Sequence, residues 1–173
     1  MPCALPVHRG QPRAFAEQRC SMIELAIDGQ SQFVLNRLEI ERAGPSYTVD
    51  SLREMRGRDQ DTRLALILGS DAYNGFAHWK QPDEILELAH LVVCRRPGVE
   101  CAENGFSEHR VDTPETLSEQ AAGAILMLDV DAPDCSSSRL RSQLAADEAP
   151  DDCLSPAVAD YIETQRLYRE GRG

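Results

Sequence analysis

Three short, unbroken apolar runs, Leu64–Leu68, Leu91–Cys94 and Ala124–Leu128, constrain this sequence more than any other feature. Each is too short for a buried helix, and none alternates apolar with polar as a strand with one wet face would. Such runs read as strands of a parallel sheet covered on both sides. The first closes on Gly69-Ser70-Asp71 and the second on Arg95-Arg96-Pro97-Gly98, turn chemistry that delivers the chain to a loop or helix.

The segments between the runs have helical spacing. Phe15, Met22, Ile23 and Ala26 predict an amphipathic helix over about Ala14–Ala26, and Phe33-Val34-Leu35 predicts a short strand after it. Pro45-Ser46 opens a second helix with Tyr47, Leu52 and Met55 on its apolar side, and Ile85, Leu86 and Leu88 mark a third. From Val99 to about Ala122 the chain is polar, acidic and aperiodic, which predicts a long surface loop with some helical turns. Helices over Ser136–Leu144 and Ser155–Leu167 close the chain, the latter with Ser155 as N-cap and Pro156 at the first helical position. Strands alternating with helices give an α/β fold, a Rossmann-like parallel sheet with helices on both faces, in one domain over residues 1–173.

In such a sheet, ligands bind at the carboxyl ends of the strands. That rule selects Gly69–Asp71, Arg95–Gly98 and Asp134–Arg141. The octet Asp134-Cys135-Ser136-Ser137-Ser138-Arg139-Leu140-Arg141 places three hydroxyls where a helix follows a strand. The free N–H groups of a first helical turn, together with the macrodipole, attract anions. Ser136 and Ser138 can donate to phosphate oxygens, and Arg141 adds a charge-assisted bond from the next turn. Position alone fits a Ser-rich cap with a solvated arginine equally well.

Charge and cysteine usage narrow the partners. A net charge of −11 disfavours a polymeric nucleic acid, while the local pairs Arg9 and Arg13, Arg95 and Arg96, and Arg139 and Arg141 leave room for a small anion. The six cysteines show no C-x-x-C pair and no tight Cys/His cluster, so the expectation is reduced thiols, no zinc site and a cytoplasmic protein. No apolar run is long enough to span a membrane, and Met1-Pro2-Cys3-Ala4-Leu5-Pro6 lacks the marks of a signal peptide.

Five stretches, in order, resemble the bacterial nicotinate-mononucleotide adenylyltransferases, members of the H-x-G-H nucleotidyltransferases. The octet is similar to their I-S-x-T-x-I-R motif, with Cys135 at the Ile position, Ser136 at the Ser, Ser138 at the Thr and Arg141 at the Arg. Pro6-Val7-His8-Arg9 looks like P-P-H-R with Val7 for the second proline, and Pro45-Ser46-Tyr47-Thr48 like P-S-Y-T. Leu68-Gly69-Ser70-Asp71 through Trp79 looks like G-x-D…W, and His90–Gly98 like the strand ending R-R-P-G. The closing stretch from Leu154-Ser155-Pro156 to Arg169 is similar to the family's last helix.

The resemblance implies transfer of AMP from ATP to nicotinate mononucleotide, with Mg²⁺ accompanying ATP, no resident metal site and no covalent enzyme intermediate. It implies that Ser136, Ser138, Arg141, Gly69 and Asp71 hold ATP, Asp71 through a ribose hydroxyl or the adenine side. It places Thr48, with the backbone near Tyr47, on the nicotinate carboxylate, and the face of Trp79 on the pyridine ring. His8, Arg9 and Arg95 then border the acceptor cleft, and Arg13, Arg96 and Arg139 are left as surface charges. Without the resemblance, Trp79 reads as core packing and Asp71 as an N-cap.

None of the four histidines, His8, His78, His90 and His109, stands in an H-x-G-H. By eye, Met1 falls at the end of the family's second strand, so the sequence reads as an N-terminally truncated member lacking roughly the 30 residues of a βαβ unit. No catalytic residue is therefore assigned. A relative that binds a pyridine mononucleotide without turnover, and an adenylyltransferase for another acceptor such as nicotinamide mononucleotide, are the alternative readings.

Overall fold

The computed structural model describes residues 13–95, 100–131, 135–148 and 153–169. They fall into two compact units, one running from Tyr47 to Asp131 and the other formed by the residues up to Ser46 together with those from Cys135 onward. In chain order the elements are α1 (Ala16–Ile27), α2 (Leu38–Glu41), α3 (Thr48–Arg58), β1 (Ala65–Gly69), α4 (Ser70–Asn74), α5 (Pro82–Leu88), β2 (His90–Arg95), β3 (Arg110–Val111), α6 (Thr116–Glu119), β4 (Ile125–Asp129), α7 (Ser137–Ala145) and α8 (Pro156–Thr164). Two 3₁₀ turns, Phe76–His78 and Ser107–His109, complete them.

The Tyr47–Asp131 unit is built on a four-stranded, all-parallel sheet in the order β1-β2-β4-β3. Its register explains the three apolar runs. Leu66 pairs with Leu91 and Leu91 with Ile125; Leu68 pairs with Val93 and Val93 with Met127. Because side chains alternate across a strand, these residues share one face. That face packs on Val49 and Leu52 of α3, Tyr73 of α4, Phe76, and Ile85 and Leu86 of α5, forming the unit's core. The intervening residues Ile67, Val92 and Leu126 share the opposite face, which grades from open at Ile67 (69% exposed) to buried at Leu126 (2%). The open end is β1, the edge strand of the described sheet, where Ala65 and Ile67 are exposed.

His90, at the start of β2, is a buried polar group with its bonds satisfied. Its Nδ1 accepts the Ala124 N–H (3.1 Å), which leaves Nε2 to donate to the Gln120 carbonyl (3.3 Å). The ring thus ties β2 to the entry of β4. Burial pushes its pKa below the ordinary histidine value, so it is held as the neutral tautomer.

The second unit is helical. Val158, Ile162 and Leu167 form its buried centre, with Met22 and Leu25 of α1 and Leu144 of α7 packed against them. Among the described residues no helix is long and apolar enough to cross a membrane.

Several expectations need correction. Phe33–Leu35 is not a strand but an irregular segment that pairs with no described strand, with Phe33 and Val34 61% and 86% exposed and Leu35 half-buried. Phe15, expected on the apolar side of the first helix, is exposed and precedes it. The helix expected from Pro45 starts at Thr48, and the long polar loop contains the short strand β3. The expectation of reduced thiols fails at Cys135 and Cys153, which form a disulfide with a sequence separation of 18. No spacing motif announces that bond, because the fold brings the starts of α7 and α8 together.

Candidate nucleotide-binding site

The carboxyl ends of β1, β2 and β4 align in the sheet. Gly69 pairs with Cys94, and Arg95 with Asp129. Gly69 has an ordinary extended backbone (φ −83°, ψ 163°), and a Cβ placed on it would meet nothing within 4 Å. Neither backbone conformation nor packing demands glycine there; the missing side chain leaves open space at the strand's end. Asp71 follows, exposed, in the first turn of α4. Arg95 donates from Nη2 to Asp129 Oδ2 at 2.7 Å, while its Nε is buried without a hydrogen-bond partner among the described residues. Asp129, which the sequence did not single out, thus holds one edge of the guanidinium.

From α4 the chain passes through the Phe76–His78 turn to Trp79, whose N–H donates to the Phe76 carbonyl (2.9 Å). Phe76 is fully buried; its ring centroid lies 5.7 Å from that of Trp79, 5.1 Å from Phe106 edge-on, and 6.5 Å from Tyr73. Trp79 is half-buried, so it is packed from one side and retains accessible surface. Both readings of a lone tryptophan, core packing and a platform, are compatible with that placement. The loop across from α4 is fastened to it. Asn74 Nδ2 donates to the Glu100 carbonyl, the Ala102 N–H donates to Asn74 Oδ1, and Asn104 Nδ2 donates to the Tyr73 carbonyl.

Gln81 has a left-handed backbone (φ 53°), rare for a residue with a side chain, and turns the chain into α5 with Pro82 at the first position. Its side chain helps hold the turn, accepting from Arg53 Nη2 (3.1 Å) and donating to Glu84 Oε2 (2.7 Å). This sharp turn sets the direction of Trp79 and Lys80. Tyr47 is the N-cap of α3 and Thr48 its first residue; the Tyr47 side chain makes no capping bond, and its carbonyl accepts the N–H groups of Asp50 and Ser51. The Lys80 ammonium lies 4.4 Å from the Tyr47 ring centroid, a cation–π geometry, and donates to Asp50 Oδ2 at 2.9 Å. The fold therefore brings the Tyr47-Thr48 segment beside the one that follows Trp79. The Lys80 hydrogen bond, helped by Arg53, holds the Asp50 carboxyl below the usual carboxylate range, and the Arg53 guanidinium does the same to Glu84.

Ser136, Ser138 and Arg141 gather on α7 in the other unit. Ser136 is the helix N-cap, its Oγ accepting the Arg139 N–H (3.4 Å). Arg141 Nη2 donates to Ser138 Oγ (3.3 Å), which places a guanidinium and a hydroxyl side by side in the first turns. Ser136 and Ser138 are exposed and Arg141 half-buried. Cys135, expected as the motif's apolar anchor, anchors it covalently to Cys153 instead. His8 and Arg9, with Arg96–Gly98 and Asp134, lie outside the described residues. Among the described residues, no group of three or more His, Cys, Asp or Glu side chains converges as a metal cage would.

Residues 1–143 match the cytidylyltransferase-like family. A probable nicotinate-nucleotide adenylyltransferase of Acidithiobacillus ferrooxidans is 38% identical over 98% of this chain and 80% of its own length. One from Salmonella gallinarum is 37% identical over 98% of this chain and 83% of its own. Among solved structures, Plasmodium falciparum nicotinic acid mononucleotide adenylyltransferase complexed with NaAD superposes with a TM-score of 0.68, covering 96% of this chain and 79% of its own at 18% identity. That likeness establishes the Rossmann-like fold. The family match and the two bacterial relatives carry the further conclusion that this chain belongs to the cytidylyltransferase-like nucleotidyltransferases, in the nicotinate-nucleotide adenylyltransferase branch.

Proposed function

We propose that this chain transfers AMP from ATP to nicotinate mononucleotide, giving deamido-NAD and pyrophosphate in NAD biosynthesis. The observation that carries the reading is the juxtaposition of the α3 start with the Trp79-Lys80 segment, beside strand ends that leave Gly69 open and Asp71 exposed. In this reading the pyridine ring lies on the accessible face of Trp79, and its carboxylate meets the Thr48 backbone at the positive end of the α3 dipole. Asp71 accepts from a ribose hydroxyl, and the bare backbone at Gly69 admits the nucleotide closely. Arg95 borders the cleft, with His8 and Arg9 assigned to its rim by sequence. Ser136, Ser138 and Arg141 supply two hydroxyls and a guanidinium to the ATP phosphates.

The reaction needs no group on the protein to form a bond. An oxygen of the mononucleotide's 5′-phosphate attacks the α-phosphorus in line, the α–β bridge breaks, and pyrophosphate leaves with the bridging oxygen. Positioning and charge stabilisation then carry the catalysis. Mg²⁺ fits as part of the MgATP substrate. It keeps waters and phosphate oxygens around itself and needs no all-protein cage, and the hydroxyl and guanidinium donors on α7 suit phosphates rather than a metal. Bound to ATP, it would neutralise charge on the phosphates.

The test is direct: incubate the chain with MgATP and nicotinate mononucleotide, and follow deamido-NAD and pyrophosphate together. Equal formation of both supports the reading, and the absence of both turnover and acceptor binding would overturn it. The alternative is acceptor binding without turnover, for which the half-buried Trp79 beside the Tyr47-Lys80 pair would suffice. Calorimetric binding of nicotinate mononucleotide with no product would select it.

A further inference from the structure

Cys135 stands one residue before the N-cap of α7, the helix that carries Ser138 and Arg141 behind the capping Ser136. Its bond to Cys153 joins two helices that are held very differently. α8 buries Val158 and Ile162 in the centre of its unit, whereas α7 buries no residue of its own. Leu144, near the far end of α7, packs against that centre. It lies about 12 Å along the helix axis from Ser136, at roughly 1.5 Å per residue. The two serines are therefore at the end of α7 that the disulfide fixes, and the bond lends them the anchoring of α8.

The bond is also within reach of another thiol. Both cysteines are half-buried, and Cys153 lines a groove of about 410 Å³ between α1 and the start of α8. Met22 and Ile23 form one wall, Leu154 and Val158 the other, and Arg19 borders it. Cys135 is not among the residues that line it, so a thiolate entering the groove meets Cys153.

We propose that the Cys135–Cys153 pair is a redox switch on ATP binding: oxidised, it holds the start of α7 ready for the phosphates, and reduction by a dithiol releases it. The inference rests on the assignment of Ser136, Ser138 and Arg141 to the ATP phosphates. A thiolate of the dithiol attacks Cys153 Sγ, forming a mixed disulfide as the bond to Cys135 breaks. Cys135 leaves as a thiolate in the positive field of the α7 N-terminus. The dithiol's second thiolate then attacks its own partner sulfur and releases Cys153. Both electrons come from the dithiol, which ends as a disulfide, and its two protons end on the cysteines. With the bond open, ATP itself must order the hydroxyls and the guanidinium, which weakens its binding.

The experiment measures MgATP and nicotinate mononucleotide binding by calorimetry on the full chain, oxidised and after dithiothreitol, with circular dichroism following the helices. Reduction should weaken MgATP about tenfold, on the order of one charge-assisted hydrogen bond, with acceptor affinity unchanged. Reoxidation should restore the tight form. The double substitution Cys135→Ser and Cys153→Ser should bind MgATP as the reduced chain does and ignore dithiothreitol. If that variant does not fold, the oxidised and reduced parent decide alone. Equal MgATP affinities in the two states overturn the proposal and leave the phosphate reading standing. Equal weakening of both ligands, or loss of the helical signal on reduction, makes the bond a structural staple and overturns it too. Sensitivity to dithiothreitol that persists in the double variant moves the effect to Cys20, Cys94 or Cys101, with the same result. If neither state binds MgATP, the phosphate reading fails and takes this proposal with it.

Discussion

The two units hold their candidate ligand residues by different means. In the Tyr47–Asp131 unit, Trp79 and Tyr47 pack on a core that runs through three register-matched strands and the rings of Tyr73, Phe76 and Phe106. Moving Trp79 there means disturbing many van der Waals contacts at once. In the other unit, α7 carries Ser136, Ser138 and Arg141 yet has no buried residue of its own. Its ties include the Cys135–Cys153 bond, the hydroxyl cap at Ser136 and the partly buried Leu144 against Val158, Ile162 and Leu167. The candidate acceptor residues are therefore placed by packing, and the candidate phosphate helix chiefly by a covalent link and a cap.

The largest effect that can break this comparison comes from Phe76→Ala. Phe76 is fully buried among three other rings, so its removal should cost about 3–5 kcal/mol by urea unfolding. Faster amide exchange should concentrate in α4, α5 and the strands, and acceptor affinity should fall as Trp79 loses its support. Equal loosening of α7 and α8 would show that the units share one means of support.

Next in size is the disulfide. Closing a loop with a sequence separation of 18 stabilises by about 3 kcal/mol through the unfolded chain. The double substitution of Cys135 and Cys153 by serine should destabilise the protein by up to that amount and raise exchange in α7 and α8, with the sheet amides unaffected. Alkylation of the denatured, unreduced protein should label Cys20, Cys94 and Cys101 and spare Cys135 and Cys153. Labelling of all of them would remove the covalent half of the contrast.

A smaller effect tests the sheet unit through pH. His90 is neutral in the fold, with Nδ1 accepting from Ala124, and burial lowers its pKa below 6.5. As pH falls through 6.5, the unfolded chain takes up the proton first. The stability His90 contributes is thus full above that pH and declines below it, by at most about 1.4 kcal/mol per pH unit. Comparing urea midpoints at pH 7.5 and 5.5 for the parent and His90→Gln should show the steeper acid loss in the parent. Equal losses would mean that His90 is not what resists protonation.

The same contrast explains what the sequence made legible. The strands were readable because their core side is apolar until the Arg95–Asp129 pair at the carboxyl end, and the Ser136 and Ser155 caps because capping is a local bond. Phe33–Leu35 misled because an apolar run becomes a strand only when a neighbour takes its backbone bonds. Lys80 and Asp50 were silent because they lie 30 residues apart, and only the packing of α3 against α5 makes them a pair. Asp129 escaped notice for the same reason; its partner Arg95 stands on another strand. Contacts across the fold have no local signature.

The finest test separates capping from ligand binding within the helical unit itself. Ser136 and Ser155 are equivalent as caps, each Oγ accepting the N–H three residues on at 3.4 Å. Replacing either by alanine leaves that N–H without its bond and should cost about 1 kcal/mol. Ser155→Ala should therefore lower stability alone, with MgATP affinity at the parent level. Ser136→Ala should lower stability by a similar amount and also weaken MgATP severalfold, because the same hydroxyl is assigned to a phosphate. The pair thus cancels the helix energetics and leaves the phosphate contribution as the difference. Equal MgATP affinities in the two variants would return Ser136 to plain capping and leave the phosphate side to Ser138 and Arg141.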